Sequence, residues 1–149
     1  MDDKAVEDFV EEIKQCIYEE TRSSYGDAVF ERWLNPLHQG TMPDPDGFAR
    51  LEGVCGDFLE IYLRFEGGRV KDALYRTNGC GSSSVCGSFA AQMAIGKDPV
   101  ELMKITGSAI LKEIGGLPRD DMHCAFHAAN ALHAASDHYL ARPEGGTGS

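Results

Sequence analysis

No apolar run in this chain approaches the roughly 18 residues that a membrane-crossing helix requires. The acidic opening MDDKAVEDFVEEIKQ has neither the basic nor the apolar stretch of a secretory leader. The expectation is a cytoplasmic chain with no membrane partner. Basic residues are scarce: 14 Lys and Arg stand against 24 Asp and Glu, a formal net charge of −10. Phosphate backbones demand clustered cations, so nucleic acid is not an expected partner. No Cys-x-x-Cys pair occurs, which removes the zinc-ribbon and thioredoxin-type readings. The cysteines are Cys16, Cys55, Cys80, Cys86 and Cys124. An odd count in a cytoplasmic setting argues against a disulfide framework. No internal repeat is visible.

What is present reads as one domain. The chain has 149 residues, 42% of them hydrophobic and 26% charged, enough to bury a core. Residues 3 to 22 predict an amphipathic helix with Val6, Phe9, Val10, Ile13 and Ile17 at helical spacing. A second helix runs from near Tyr25 to Asn35-Pro36, where proline blocks continuation. Turn formers fill 37 to 47, LHQGTMPDPDG. Strands are expected over 48–54, 57–66 and 69–77; the second alternates Leu59, Ile61, Leu63 and Phe65 against Phe58, Glu60, Tyr62 and Arg64. EGGRV makes the hairpin turn between the last two. Helical pattern follows over 82–95, 98–105, 107–114 and 119–141. The fold class is therefore α+β: a small three-stranded antiparallel sheet with helices packed on one face and a long C-terminal helix. The expected division is an acidic N-terminal helix over 1–24, a folded domain over 25–141 and a disordered tail, RPEGGTGS, over 142–149.

Three thiols fall at unusual places on this map. Cys55 lies in a turn between Gly53 and Gly56, and Asp57 follows two residues later. Cys80 lies in NGCGSSS, at the passage from the third strand to a helix, where the serines suit a helix start. Cys124 lies in LPRDDMHCAFH, in the first turn of the last helix. Helix N-termini favour thiolate, the form that binds metal and attacks sulfur. Cys16 and Cys86 fall inside helices and read as small buried hydrophobes; the alternative for Cys86 is a spare thiol near Cys80. His123 offers an imidazole ligand beside Cys124. Taken alone it reads as solvent-facing, off an apolar stripe of Met122, Ala125, Phe126, Ala129 and Leu132. His127, one turn on, could support the site from behind. His133 and His138 read as surface residues, and His38 has no assigned role.

Separately these pieces occur by chance; their order and spacing do not. CGD at 55–57, NGCGSSS at 78–84 and HC at 123–124, with 25 residues from Cys55 to Cys80 and 44 from Cys80 to Cys124, resemble the iron–sulfur cluster assembly scaffold family of the IscU and NifU N-terminal type. The resemblance extends from about Tyr25 to Ala141, and FERWLNPLHQGTM is similar to the family's entry segment. It implies a scaffold and not an enzyme. Such a protein takes sulfane sulfur from a cysteine desulfurase and uses an iron or electron donor. It builds a transient [2Fe-2S] cluster and passes it to apo-protein recipients, and the same ligands hold zinc when no cluster is present. The implied metal ligands are Cys55, Asp57, Cys80, His123 and Cys124, with Cys124 and Cys55 as persulfide acceptors. Thiolates suit iron and zinc, and one weaker ligand, Asp57 or His123, would keep the hold replaceable.

The chain also departs from its relatives. Members served by a dedicated Hsp70-type chaperone carry Leu-Pro-Pro-Val-Lys before the His-Cys pair; here only Leu117 and Pro118 remain, so that partner is not expected. The zinc-dependent SufU branch carries an insertion between its second and third cysteines and lacks the histidine, so this chain sides with IscU and NifU. Two other readings stay open on the residues alone. One is a structural zinc-binding domain without sulfur transfer. The other is an enzyme using Cys124 as nucleophile with a histidine base.

Overall fold

Strand formation starts from period-two alternation: Leu59, Ile61 and Leu63 point one way and are buried, while Glu60, Tyr62 and Arg64 point the other. The computed structural model describes residues 4–10, 12, 27–53, 56–79 and 81–141. It contains a three-stranded antiparallel sheet of β1 (Gly47–Glu52), β2 (Phe58–Glu66) and β3 (Arg69–Thr77), in that order. Leu51 pairs with Leu59, Ile61 with Tyr75 and Leu63 with Ala73. Gly67 and Gly68 both take positive φ, as the tight β2–β3 turn requires.

The helices are α1 (Asp27–Leu34), α2 (Gly81–Ala94), α3 (Pro99–Met103), α4 (Gly107–Ile114) and α5 (His123–Ala141). Asp98 and Glu101 form a reciprocal capping box on α3, and Thr106 caps α4. α2 and α5 cover one face of the sheet, and their small residues allow close approach. In α5 these are Ala125, Ala128, Ala129, Ala131 and Ala135; in α2 they are Gly87, Ser88, Ala90, Ala91 and Ala94. Phe65 stacks on Tyr139 at 3.6 Å, tying the far end of α5 to β2. Among the described residues no helix is long and apolar enough to cross a membrane.

Several details differ from the sequence reading. The last helix starts at His123, because Pro118 leads into a short 3-10 turn, Arg119–Asp121. The buried stripe of α5 runs through Cys124, Ala125, Ala128, Ala129, Leu132 and Ala135, which leaves Met122 38% and Phe126 46% exposed. His133 is half-buried rather than on the surface, and its Nε2 lies 2.9 Å from the Ile105 carbonyl. His138 is exposed and accepts the Phe48 N–H. His38 has a structural use: its carbonyl accepts the Tyr75 N–H while Gly40 N–H donates to the Tyr75 carbonyl, so 38–40 covers the free edge of β3. Residues 4–10 are helical and exposed; Cys16, the start at Tyr25 and the tail 142–149 lie outside the described residues.

The face of the sheet opposite α2 and α5 carries a charged knot. Glu60 accepts from Arg76 Nε (2.7 Å), Tyr62 Oη (2.9 Å) and Arg50 Nη1 (3.1 Å). The Arg76 hydrogen bond holds its carboxyl below the ordinary range, against burial, which pushes it up; Tyr62 and Arg50 add to the lowering. A depressed folded-state value stabilises above the unfolded value and is lost as pH falls through the folded one. Urea melts between about pH 3 and 6 should show wild type losing stability toward acid, with Glu60→Gln losing less across that window. A second expectation concerns α2. A methyl at Gly87 would stand 2.7 Å from Tyr75 Cδ2 and 3.1 Å from Leu59 Cδ1. Tyr75 is fully buried and bonded to Ser84, so it cannot give way. Gly87→Ala should cost about 1–3 kcal/mol in overpacking, against a helix-propensity gain of ~1 kcal/mol. A lower denaturation midpoint at unchanged slope would show it.

Candidate metal centre

Two turns meet at one end of the sheet. In the β1–β2 turn, Gly53 N–H donates to the Asp57 carbonyl (2.8 Å) and Gly56 takes φ +81°. After β3, Asn78 Oδ1 accepts the Phe58 N–H (2.8 Å). Thr77 Oγ1 donates to the Phe58 carbonyl (2.5 Å) and accepts from Gly79 N–H (3.0 Å). These bonds stitch the start of β2 to the segment entering α2.

Asp57 is thereby pressed between two glycines. A methyl at Gly53 would stand 2.7 Å from its Oδ1, and one at Gly79 would stand 2.9 Å from its Oδ2. Among the described residues nothing hydrogen-bonds or ion-pairs with this carboxylate. The same point at Gly79 lies 2.9 Å from Ser83 Oγ. Ser83 Oγ is 3.6 Å from Cys124 Sγ, and Cys124 Sγ is 3.7 Å from His123 Nε2. Ser83, Cys124 and His123 thus form a run of contacts, and Asp57 and Ser83 both face the same side of Gly79. The N-termini of α2 and α5 converge here, and their partial positive charge suits thiolate. Cys124 is only 3% exposed, whereas His123 is exposed.

Among the described residues no group of three or more His, Cys, Asp or Glu side chains could hold a metal ion. The set expected from sequence needs Cys55 and Cys80, and both lie outside the described residues. Gly79 and Gly81, on either side of position 80, are in place. The Trp33 indole lies so close to Gly81 that a methyl there would stand 2.9 Å from its Nε1. Cys86 is fully buried in the core cluster. His127 is half-buried, and among the described residues its Nε2 has no hydrogen-bond partner.

The expected helix-start serines sit inside α2 instead, since the helix begins at Gly81. Ser83 faces Cys124 and Ser84 bonds Tyr75 Oη (2.7 Å). Sequence reasoning missed Ser83, Thr77 and Asn78. The one available signal for Ser83 was its distance of three residues from Cys80, which places it one helical turn on along the same face.

Among the described residues the soft donor here is the Cys124 thiol, with the Asp57 carboxylate and the His123 imidazole nearby, and the glycine-walled space around Asp57 and Ser83 is one a single methyl would fill. Comparison with known proteins places the chain in a family. The NifU-like N terminal domain model matches residues 24–145. The iron–sulfur cluster assembly scaffold protein IscU 1 of Archaeoglobus fulgidus is 38% identical over 117 residues, covering 78% of this chain and 76% of that protein. IscU of Aquifex aeolicus is 30% identical over 119 residues, with 78% and 76% covered. The N-terminal part of a NifU-like protein from Brucella abortus has the same fold, with a TM-score of 0.64 at 19% identity, covering 82% of this chain and 98% of that one. With the family model matching most of its length and relatives at 30–38% identity, the chain belongs to the IscU and NifU N-terminal domain family.

Proposed function

We propose that this chain is a scaffold for iron–sulfur cluster assembly, and that the cluster is its cargo rather than a resident cofactor. The observation that carries the reading is the convergence of the Asp57 carboxylate, otherwise unbonded among the described residues, with Ser83 and Cys124 beside position 80. The assembly role is assigned to residues 25–141; the N-terminal segment 1–24 and the tail 142–149 are left outside it.

In this reading Cys55, Cys80 and Cys124 supply thiolates, and Asp57 and His123 supply the weaker donors. A cysteine desulfurase delivers persulfide sulfur to Cys124 or Cys55, its own thiolate leaving as the outer sulfur is transferred. Reduction to sulfide draws on an electron donor, and iron completes a [2Fe-2S] unit that passes to an apo-protein. Zinc can occupy the same thiolates when no cluster is present. The chain's own part is to hold soft ligands on well-packed elements and to include one hard oxygen donor, which binds sulfide-bridged iron weakly and eases release. It performs no turnover of its own. His123 at 3.7 Å could also serve Cys124 as a base, but membership of a scaffold family favours its role as a donor.

Anaerobic reconstitution tests the ligand set. Ser at position 55, 80 or 124 should abolish stable cluster loading, while Cys86→Ser should retain it. Asp57→Ala should load but transfer to apo-ferredoxin more slowly, with a longer-lived cluster. Persistent zinc with no sulfur uptake from a desulfurase would instead indicate a structural zinc domain. Gly79→Ala probes the glycine wall: its methyl would drive Asp57 and Ser83 apart, so zinc affinity should fall by about 10–100-fold while the thermal midpoint changes little.

A further inference from the structure

Ser83 has no place in the ligand set, yet its hydroxyl meets the sulfur of Cys124. It is the third residue of α2, one turn beyond position 80, and its hydroxyl reaches across to α5. Ser83 is 5% exposed, close to the burial of Cys124, so water competes weakly for the contact. Its position is also confined. A methyl at Gly79 would stand 2.9 Å from Ser83 Oγ and 3.0 Å from Ser83 Cβ, which places the side chain against the backbone of the turn.

We propose that Ser83 is a positioning residue for Cys124: its hydroxyl donates a hydrogen bond to the Cys124 sulfur and sets how that sulfur meets the metal. The proposal rests on Cys124 being a ligand. A metal-bound cysteine has lost its proton and can only accept, so across the 3.6 Å contact the donor must be Ser83. A donated hydrogen bond draws charge from the ligand sulfur, and hydrogen bonds to sulfur are among the determinants of an iron–sulfur cluster's potential. The neighbouring serine has a different use. Ser84 spends its hydroxyl on Tyr75 in the core, so the same substitution one residue along loses a bond of similar kind away from the ligands.

That contrast defines the experiment. Wild type, Ser83→Ala and Ser84→Ala are each loaded with Co(II) and, separately, reconstituted with a cluster. Two quantities are read: the energy of the thiolate-to-cobalt charge-transfer band and the reduction potential of the cluster. Alanine favours helix, so Ser83→Ala should fold, and circular dichroism verifies it. The expected result is that Ser83→Ala moves the band to longer wavelength and the potential to more negative values, while Ser84→Ala moves neither. Unchanged band and potential in Ser83→Ala overturn the proposal, as do equal shifts in both variants, which would report general loosening of α2. If wild type takes up neither cobalt nor cluster, the ligand reading of Cys124 falls and this proposal falls with it. A wild type that loads normally, matched by Ser83→Ala, refutes the role of Ser83 alone.

Discussion

Phe58 is held by its backbone on both sides: Asn78 takes its N–H and Thr77 donates to its carbonyl. That pair of bonds sets where β2 begins and where β3 ends. Because side chains alternate along a strand, a slip of one residue would turn Asp57 to the opposite side of the turn. The side chain of Phe58 is held as well. The guanidinium of Arg50 lies 3.9 Å and that of Arg76 4.9 Å from its ring centre, and both arginines are anchored on Glu60. Backbone and side-chain restraints therefore act on the same residue, next to the carboxylate that has to be placed.

The second support is the smallness of α2. Its sequence, GSSSVCGSFAAQMA, lets it lie directly on Tyr75 and Leu59 on one side and against the alanines of α5 on another. Close approach of the two helices brings their N-termini together, so Ser83 can meet Cys124. A larger residue at Gly87 would push α2 outward and separate groups that lie far from the substitution. The proposed site thus stands on a well-packed foundation, which fixes where the Cys124 sulfur and the Asp57 carboxylate are presented.

Much of this was legible in the sequence, for identifiable reasons. The three strands announced themselves through Leu59, Ile61 and Leu63 and through the Gly67-Gly68 turn. The placement of Cys124 in the first turn of the last helix followed from the helical pattern that begins there. Other features were not legible because they depend on what surrounds a helix. α2 is buried nearly all round, so it has little amphipathic stripe to read. On α5 the buried face is displaced by a small rotation toward Cys124, which exposes Met122 and Phe126. Ser83, Thr77 and Asn78 are common polar residues whose importance comes only from their partners across the fold. His38 was unreadable for the same reason, since it acts through its carbonyl on β3 and not through its ring.

The contact between Trp33 and Gly81 has a practical consequence. Trp33 is the chain's single tryptophan, and its indole packs against the residue next to Cys80. Indole emission responds to nearby polar, charged and light-absorbing groups, and iron–sulfur clusters absorb across the range where it emits. On the proposed reading the protein would carry its own optical gauge: a cluster bound beside Gly81 would register in one emission band without a label, and α1 would be the element through which loading and release are timed.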